Sequence, residues 1–318
     1  MAVYVDNITI YGAKTTLMDN IKKSIVTKFE ATDMGNLNWV LGIEILFEKD
    51  GIHLSQKSYI DTILRRFKLK NLRPIILPIN RNYSMTRSKP EKVLSEPRVY
   101  QQMIGSLMYL VTCTRPDLTF VVSYLSQFSN APNKQHFTAA KRCFRYLIAT
   151  KDLTLRYRYG VDLFLEGFSD SDYGNCIDTR RSVFGYIFRL GDATICWRSQ
   201  KQKSVSTSTT EAEYVALSKA AKHFQWIKIA LKDLRLSKTD SAVLCDNTST
   251  LDIAENHRIS DRSKHIDIHY HRVRELVYTK KLTLLYVPSA ENLADICTKG
   301  LPLDAFSYLR DKILGVKD

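Results

Sequence analysis

Two apolar periods alternate along this chain of 318 residues, and the switches between them predict its layout. Val3–Tyr11 is rich in β-branched and aromatic residues and predicts a strand. Thr15–Phe29 has helical spacing. Trp39–Phe47 and Gly51–Ser55 predict a hairpin, with Lys49-Asp50-Gly51 as its turn. Gln56–Phe67 returns to helical spacing. Residues 71–98 hold several prolines and basic residues with little periodicity, which predicts an extended linker. Three helices should follow, over Tyr100–Leu110, Leu118–Phe128 and Lys134–Ala149. A second region should begin near Asp162. Leu163–Ser169, Ser182–Leu190 and Ala193–Ser199 read as strands, with Gly191-Asp192 as a tight turn. A long helix runs from Ser208 to about Leu234, and its Ser208-Thr209-Thr210-Glu211 start offers a hydroxyl cap with an acid three residues on. Val243–Cys245 is a strand, Thr248–Glu255 and Lys264–Lys280 are helices, Leu282–Val287 is a strand, and Asn292–Lys299 is a final helical turn.

The length suits two or three domains and a sizeable core. A hydrophobic fraction of 44% and a charged fraction of 25% fit a globular chain. No apolar stretch is long enough to span a membrane, so no membrane partner is expected. Residues 1–12 do not read as a secretory signal, because Asp6 interrupts them and no basic flank precedes them. The six cysteines stand apart, which argues against a zinc ribbon or a disulfide framework and suits a reducing, intracellular compartment. Buried small hydrophobes are the expected role for all six.

Charge divides the chain unequally. The net +14 falls mostly on residues 1–160, where 24 Lys+Arg face 12 Asp+Glu, for +12; residues 161–318 carry 23 and 21, for +2. The excess is densest from Lys57 to Lys92. Such a surface attracts a polyphosphate backbone without reading its sequence, although a merely solvated lysine-rich face accounts for the composition equally well.

Four acids in the second half stand at the ends of strand-like runs or on helix-like segments: Asp170, Glu213, Asp246 and Asp295. Carboxylates gathered from such places repel one another unless a cation sits between them. Hard oxygen ligands suit Mg²⁺ or Mn²⁺, and a two-metal site of that kind hydrolyses phosphodiesters. Taken singly, each acid is weak evidence, since most carboxylates are solvated.

The segments around the four acids resemble the ribonuclease H domain of Ty1/copia-type retrotransposon Pol polyproteins. The likeness is carried by Gly167–Asp172, Thr179–Tyr186, Trp197–Gln202, Ser208–Leu217, Cys245-Asp246-Asn247, Ser263–Ile268, Tyr286-Val287-Pro288 and Glu291–Leu301. Upstream, Tyr4–Asn7, Leu41–Ile45, Leu54–Tyr59, Ile104–Tyr109, Thr114–Asp117 and Ala140–Leu147 resemble the end of the reverse transcriptase of the same elements. The resemblance implies an α/β (α+β) chain: a truncated palm and thumb-connection remnant over residues 1–160, then a ribonuclease-H-like mixed sheet over 161–318. It implies Asp170, Glu213, Asp246 and Asp295 as ligands of two Mg²⁺ or Mn²⁺ ions. An RNA–DNA hybrid or other nucleic acid, and the rest of an element's polyprotein, are the implied partners.

Asp172 and Glu211 are the neighbours most easily confused with the ligands. Asp170 and Asp172 share one face of a strand, whereas Glu211 and Glu213 point different ways on a helix, with Glu213 on the apolar stripe of Ala216 and Leu217. Asn247, Ser208, Thr209 and Gln202 are candidates for contact with the 2′-hydroxyls of a hybrid. The histidine that many ribonuclease H enzymes place before the last acid is missing between Val287 and Asp295, so product release is expected to differ. His265 and His269 stand four apart on a helix, but His271 points elsewhere and no fourth ligand accompanies them, which disfavours zinc. The polymerase pattern departs further: its paired acids have become Tyr4-Val5-Asp6-Asn7, and only three residues precede the motif. Asp6 alone cannot assemble a two-metal polymerase site. The sequence therefore points to a hybrid-specific ribonuclease with a polymerase-inactive N-terminal remnant; a non-catalytic, nucleic-acid-binding relic is the alternative.

Overall fold

The computed structural model describes residues 1–12, 15–87, 89, 92–94, 96–236, 241–255 and 267–316. Its centre is a five-stranded mixed sheet. The strands are β7 (Leu165–Asp172), β8 (Val183–Leu190), β9 (Ala193–Lys201), β10 (Ser241–Cys245) and β11 (Leu284–Tyr286), in the spatial order β11-β10-β7-β8-β9. β7, β8 and β9 form an antiparallel meander, and β10 and β11 add parallel to the other edge of β7. This is the strand order of a ribonuclease-H-like sheet. β7 and β8 are buried on both faces, as central strands must be when helices cover both sides.

One face is covered by α6 (Thr209–Asp233), α7 (Thr248–Glu255) and α8 (Asp267–Tyr278), with Phe188, Tyr214, Phe224 and Val243 at the heart of the contact. The other face packs on helices from the first half of the chain: α3 (Pro97–Cys113), α4 (Thr119–Ser126) and α5 (Lys134–Ala149). It also packs on a C-terminal helix, α9 (Leu303–Leu314). Their shared core joins Leu107, Leu125 and Leu147 to Phe168, Ile187, Leu293 and Phe306. Beneath it, Arg115 and Asp117 form a fully buried pair at 2.7 Å; Tyr146 donates to the same carboxylate, and Thr150 accepts from the guanidinium. A four-stranded antiparallel sheet lies alongside, made of β3 (Trp39–Val40), β4 (Ile43–Phe47), β5 (Gly51–Ser55) and β6 (Leu155–Arg158), with α2 (Lys57–Arg66) following β5.

Most predicted elements are present, with ends shifted by a few residues. Three differ. Val3–Tyr11 is not one strand but a small hairpin, β1 (Ala2–Tyr4) and β2 (Asn7–Thr9), because Val5 takes a left-handed φ of 50° and turns the chain at Asp6. β6 was not expected: its partner β5 lies a hundred residues earlier, so no local signal marks it. α9 was also missed, although Pro302 precedes it and Gly315, at φ 69°, closes it with the left-handed cap that favours glycine. The helix α1 (Thr15–Lys28) forms as expected but buries none of its residues.

Candidate metal centre

Four different elements deliver the acids. Asp170 lies near the end of the central strand β7, Glu213 in the first turns of α6, and Asp246 directly after β10. Asp295 sits in a 3-10 segment, Leu293–Cys297, that presses against β7 and β8. That approach requires a glycine. A Cβ at Gly185 of β8 would stand 2.6 Å from the Cβ of Cys297 and 2.8 Å from Cγ2 of Thr298. The Ser208 hydroxyl caps α6 by accepting from the Glu211 amide, which fixes the register that turns Glu213 inward.

Ligand atoms of Asp170, Asp246 and Asp295 lie within 4.8 Å of one another, and so do those of Glu213, Cys245 and Asp246. Asp246 is common to both groups, so the four predicted acids meet at one place. Neutral donors hold two of them. Ser289 Oγ donates to Asp246 Oδ2 at 2.6 Å, Asn292 Nδ2 donates to Asp246 Oδ1 at 3.3 Å and to the Ser169 carbonyl at 3.0 Å, and Thr298 Oγ1 donates to Asp170 Oδ2. Lys299 Nζ stands 2.9 Å from Asp295 Oδ1 and 3.7 Å from Asp170 Oδ2; the nearer contact is an ion pair without hydrogen-bond alignment. Glu213 Oε2 is buried with no hydrogen-bond partner.

The electrostatics follow from crowding. Burial, then Asp170 and Asp246, push the Glu213 carboxyl up to about 10. Burial and Asp170 raise Asp295 to about 7, although Lys299 opposes them. Asp170 is raised as well, mainly by burial, against the pull of Lys299 and Thr298. For Lys299, burial disfavours the ammonium, but Asp170 and Asp295 outweigh it and hold the charge firmly. A buried carboxylate oxygen without a donor, among acids that cannot all ionise unaided, is what a divalent cation relieves. The donors are mostly hard oxygens, so the residues present fit Mg²⁺ or Mn²⁺.

The neighbouring candidates separate cleanly. Asp172 accepts from Asn175 and belongs to neither group of converging ligand atoms. Glu211 faces outward, accepting from the Thr207 amide and hydroxyl at 2.7 and 2.6 Å. Gln202 is buried, donating to Ser171 and Ala212 and accepting from Ser206, so it is a strut inside the fold and not a surface contact for a hybrid. Ser208 is spent on the cap, Thr209 is the first residue of α6, and Asn247 Oδ1 accepts from the Thr250 amide at the start of α7. His265 and the side chains of His269 and His271 lie outside the described residues. Asp6 is exposed at the β1–β2 turn. The cysteines are free, but Cys113, Cys176 and Cys196 are only half-buried, which corrects the expectation that all six are core. Sequence reasoning missed Ser289, Thr298 and Lys299 and gave Asn292 no role; three of these four lie inside the run Glu291–Leu301 that carried the resemblance.

Residues 1–81 match the reverse transcriptase (RNA-dependent DNA polymerase) family. Over 98% of its length the chain is 34% identical to the Pol polyprotein of transposon TNT 1-94 from Nicotiana tabacum and 36% identical to that of transposon RE1 from Arabidopsis thaliana. It spans only 24% and 21% of those polyproteins. It is 30% identical to a putative transposon Ty5-1 protein of Saccharomyces cerevisiae, over 69% of this chain and 71% of that protein. Among solved structures, the N-terminal RNase H domain of a Mycobacterium tuberculosis protein overlays with a TM-score of 0.31 at 16% identity, covering 46% of this chain and 96% of that domain. That overlay is loose, and the fold rests on the strand order. With reverse transcriptase sequence at its start, a ribonuclease-H-like sheet behind it and matches along almost its whole length, the chain belongs to the Ty1/copia-type retrotransposon Pol family.

Proposed function

We propose that this chain cleaves the RNA strand of an RNA–DNA hybrid, with two Mg²⁺ or Mn²⁺ ions held by Asp170, Glu213, Asp246 and Asp295. The observation that carries the proposal is the meeting of those four acids around Asp246, with one buried Glu213 oxygen lacking any donor. Bound divalent cations would supply the activated water and the stabilisation of the leaving 3′ oxygen. The protein's own share is positioning. Ser289 and Asn292 fix both oxygens of Asp246, Thr298 orients Asp170, and the α6 cap aims Glu213.

In the same proposal, the chain divides by role near residue 160. Residues 1–160 hold nucleic acid through their +12 charge and carry no polymerase chemistry, since Asp6 is the one acid left in the Tyr4–Asn7 motif. Residues 161–318 carry the hydrolysis. The test is a cleavage assay on a labelled hybrid with Mg²⁺ and with Mn²⁺. The RNA strand should be cut and duplex DNA left intact. Asp246→Asn should abolish cutting with the fold unchanged, because an amide cannot replace the shared negative charge. A folded protein that binds the hybrid and never cuts it would instead establish the non-catalytic relic.

A further inference from the structure

Lys299 forms ion pairs with two of the four acids. Among the described residues, no other lysine or arginine forms an ion pair with Asp170 or Asp295. Its position is set by the fold, because the Lys299 amide donates to the Asp295 carbonyl at 3.3 Å, at the end of the turn that carries the fourth acid. The side chain is 35% exposed, whereas those of its two partners are 3% and 11% exposed. The ammonium therefore reaches into the cluster from solvent and has a way out. Lysine is suited to that motion: it is a point charge on a four-carbon stem with rotatable donors, and no planar fork holds it in place.

We propose that Lys299 is a built-in counter-cation, which neutralises the carboxylate centre before divalent ions arrive and is displaced by them. This rests on the metal-centre proposal above. Carboxylates with ligand atoms within 4.8 Å of one another repel strongly when no cation accompanies them. The ammonium at 2.9 and 3.7 Å relieves that repulsion. A divalent cation bound to the same Asp170 and Asp295 oxygens would be pushed apart from the ammonium, so the two compete. Lys299 keeps its charge throughout and changes only its place. The device keeps the acids in position without metal, at the expense of metal affinity.

The test is Mn²⁺ binding to the 318-residue chain without nucleic acid, followed by the electron paramagnetic resonance signal of free Mn²⁺, alongside melting with and without Mn²⁺. The proteins are wild type, Lys299→Met, Lys299→Arg and Asp246→Asn. Lys299→Met should bind Mn²⁺ about tenfold tighter than wild type. It should melt lower without metal and gain more from Mn²⁺. Lys299→Arg keeps the charge and should stay near wild type. Unchanged or weaker binding by Lys299→Met overturns the proposal. A Lys299→Met chain that is unfolded without metal and restored by Mn²⁺ supports it; one that Mn²⁺ does not restore overturns it. Wild-type binding that ignores Asp246→Asn would sink the metal centre itself. Binding that needs Asp246 but is indifferent to Lys299→Met would sink only the counter-cation.

Discussion

Replacing Glu213 by glutamine should stabilise the metal-free protein at neutral pH, and the size of the gain follows from the site. In the folded chain the carboxyl is pushed up to about 10 by burial and by Asp170 and Asp246, from an ordinary 4.5. The folded state therefore keeps a proton that the unfolded state releases. With more protons bound when folded, stability falls as pH rises. The contribution is complete below about 4.5 and fades until about 10. At pH 7.5, three pH units above the ordinary value, the shortfall is about 4 kcal/mol. Glutamine has no proton to lose and escapes this loss. Urea melts in chelator should show the variant and wild type within about 1 kcal/mol at pH 5, and the variant ahead by about 2–4 kcal/mol at pH 7.5. Adding Mg²⁺ at pH 7.5 should then raise wild type and leave the variant nearly unmoved. A gap of equal size at both pH values, or a variant less stable than wild type at pH 7.5, would refute the electrostatic account of Glu213.

Gly185→Ala forces the 3-10 segment off the sheet, so it should cost about 1–3 kcal/mol by overpacking and weaken Mn²⁺ binding by moving Asp295; melts and metal titration check both. Arg115→Met strands the buried Asp117 carboxylate, with only Tyr146 among the contacts described above left to donate to it, and should cost about 3–5 kcal/mol in a urea melt. On a primed template the chain should make no DNA. Its binding to nucleic acid should weaken steeply between low and physiological salt, measured by fluorescence anisotropy, because each neutralised phosphate releases counterions.

The sheet and its long helix were legible because their signals are local. β8 is dense in β-branched and aromatic residues, and the Ser208 cap directly precedes the helix it starts. β6 was not legible, because Leu155–Arg158 becomes a strand only by pairing with β5. The acids were legible as a set because each lies in a distinctive run. Their supports were not. Ser289, Asn292 and Thr298 are unremarkable polar residues until the chain returns to β7 and aims them at Asp246 and Asp170. Gln202 shows the same limit in reverse: a polar residue in a family motif, and a buried brace in the fold.

The core shared across the sheet ties the fate of the two halves together. Leu107 and Tyr146 lie on α3 and α5, ahead of all four acids in the chain, yet both belong to the packed layer that also holds Leu293 and Phe306. Sequence drift in these helices is therefore not free, whatever chemistry the first half performs. If the proposed function holds, a substitution at Leu107 would register as lost hybrid cleavage, although that side chain is buried in the core. For the same reason, a gene fragment cut to begin at residue 161 would yield a sheet with one bare apolar face. The helices between residues 97 and 149 are the foundation under the acid-bearing sheet.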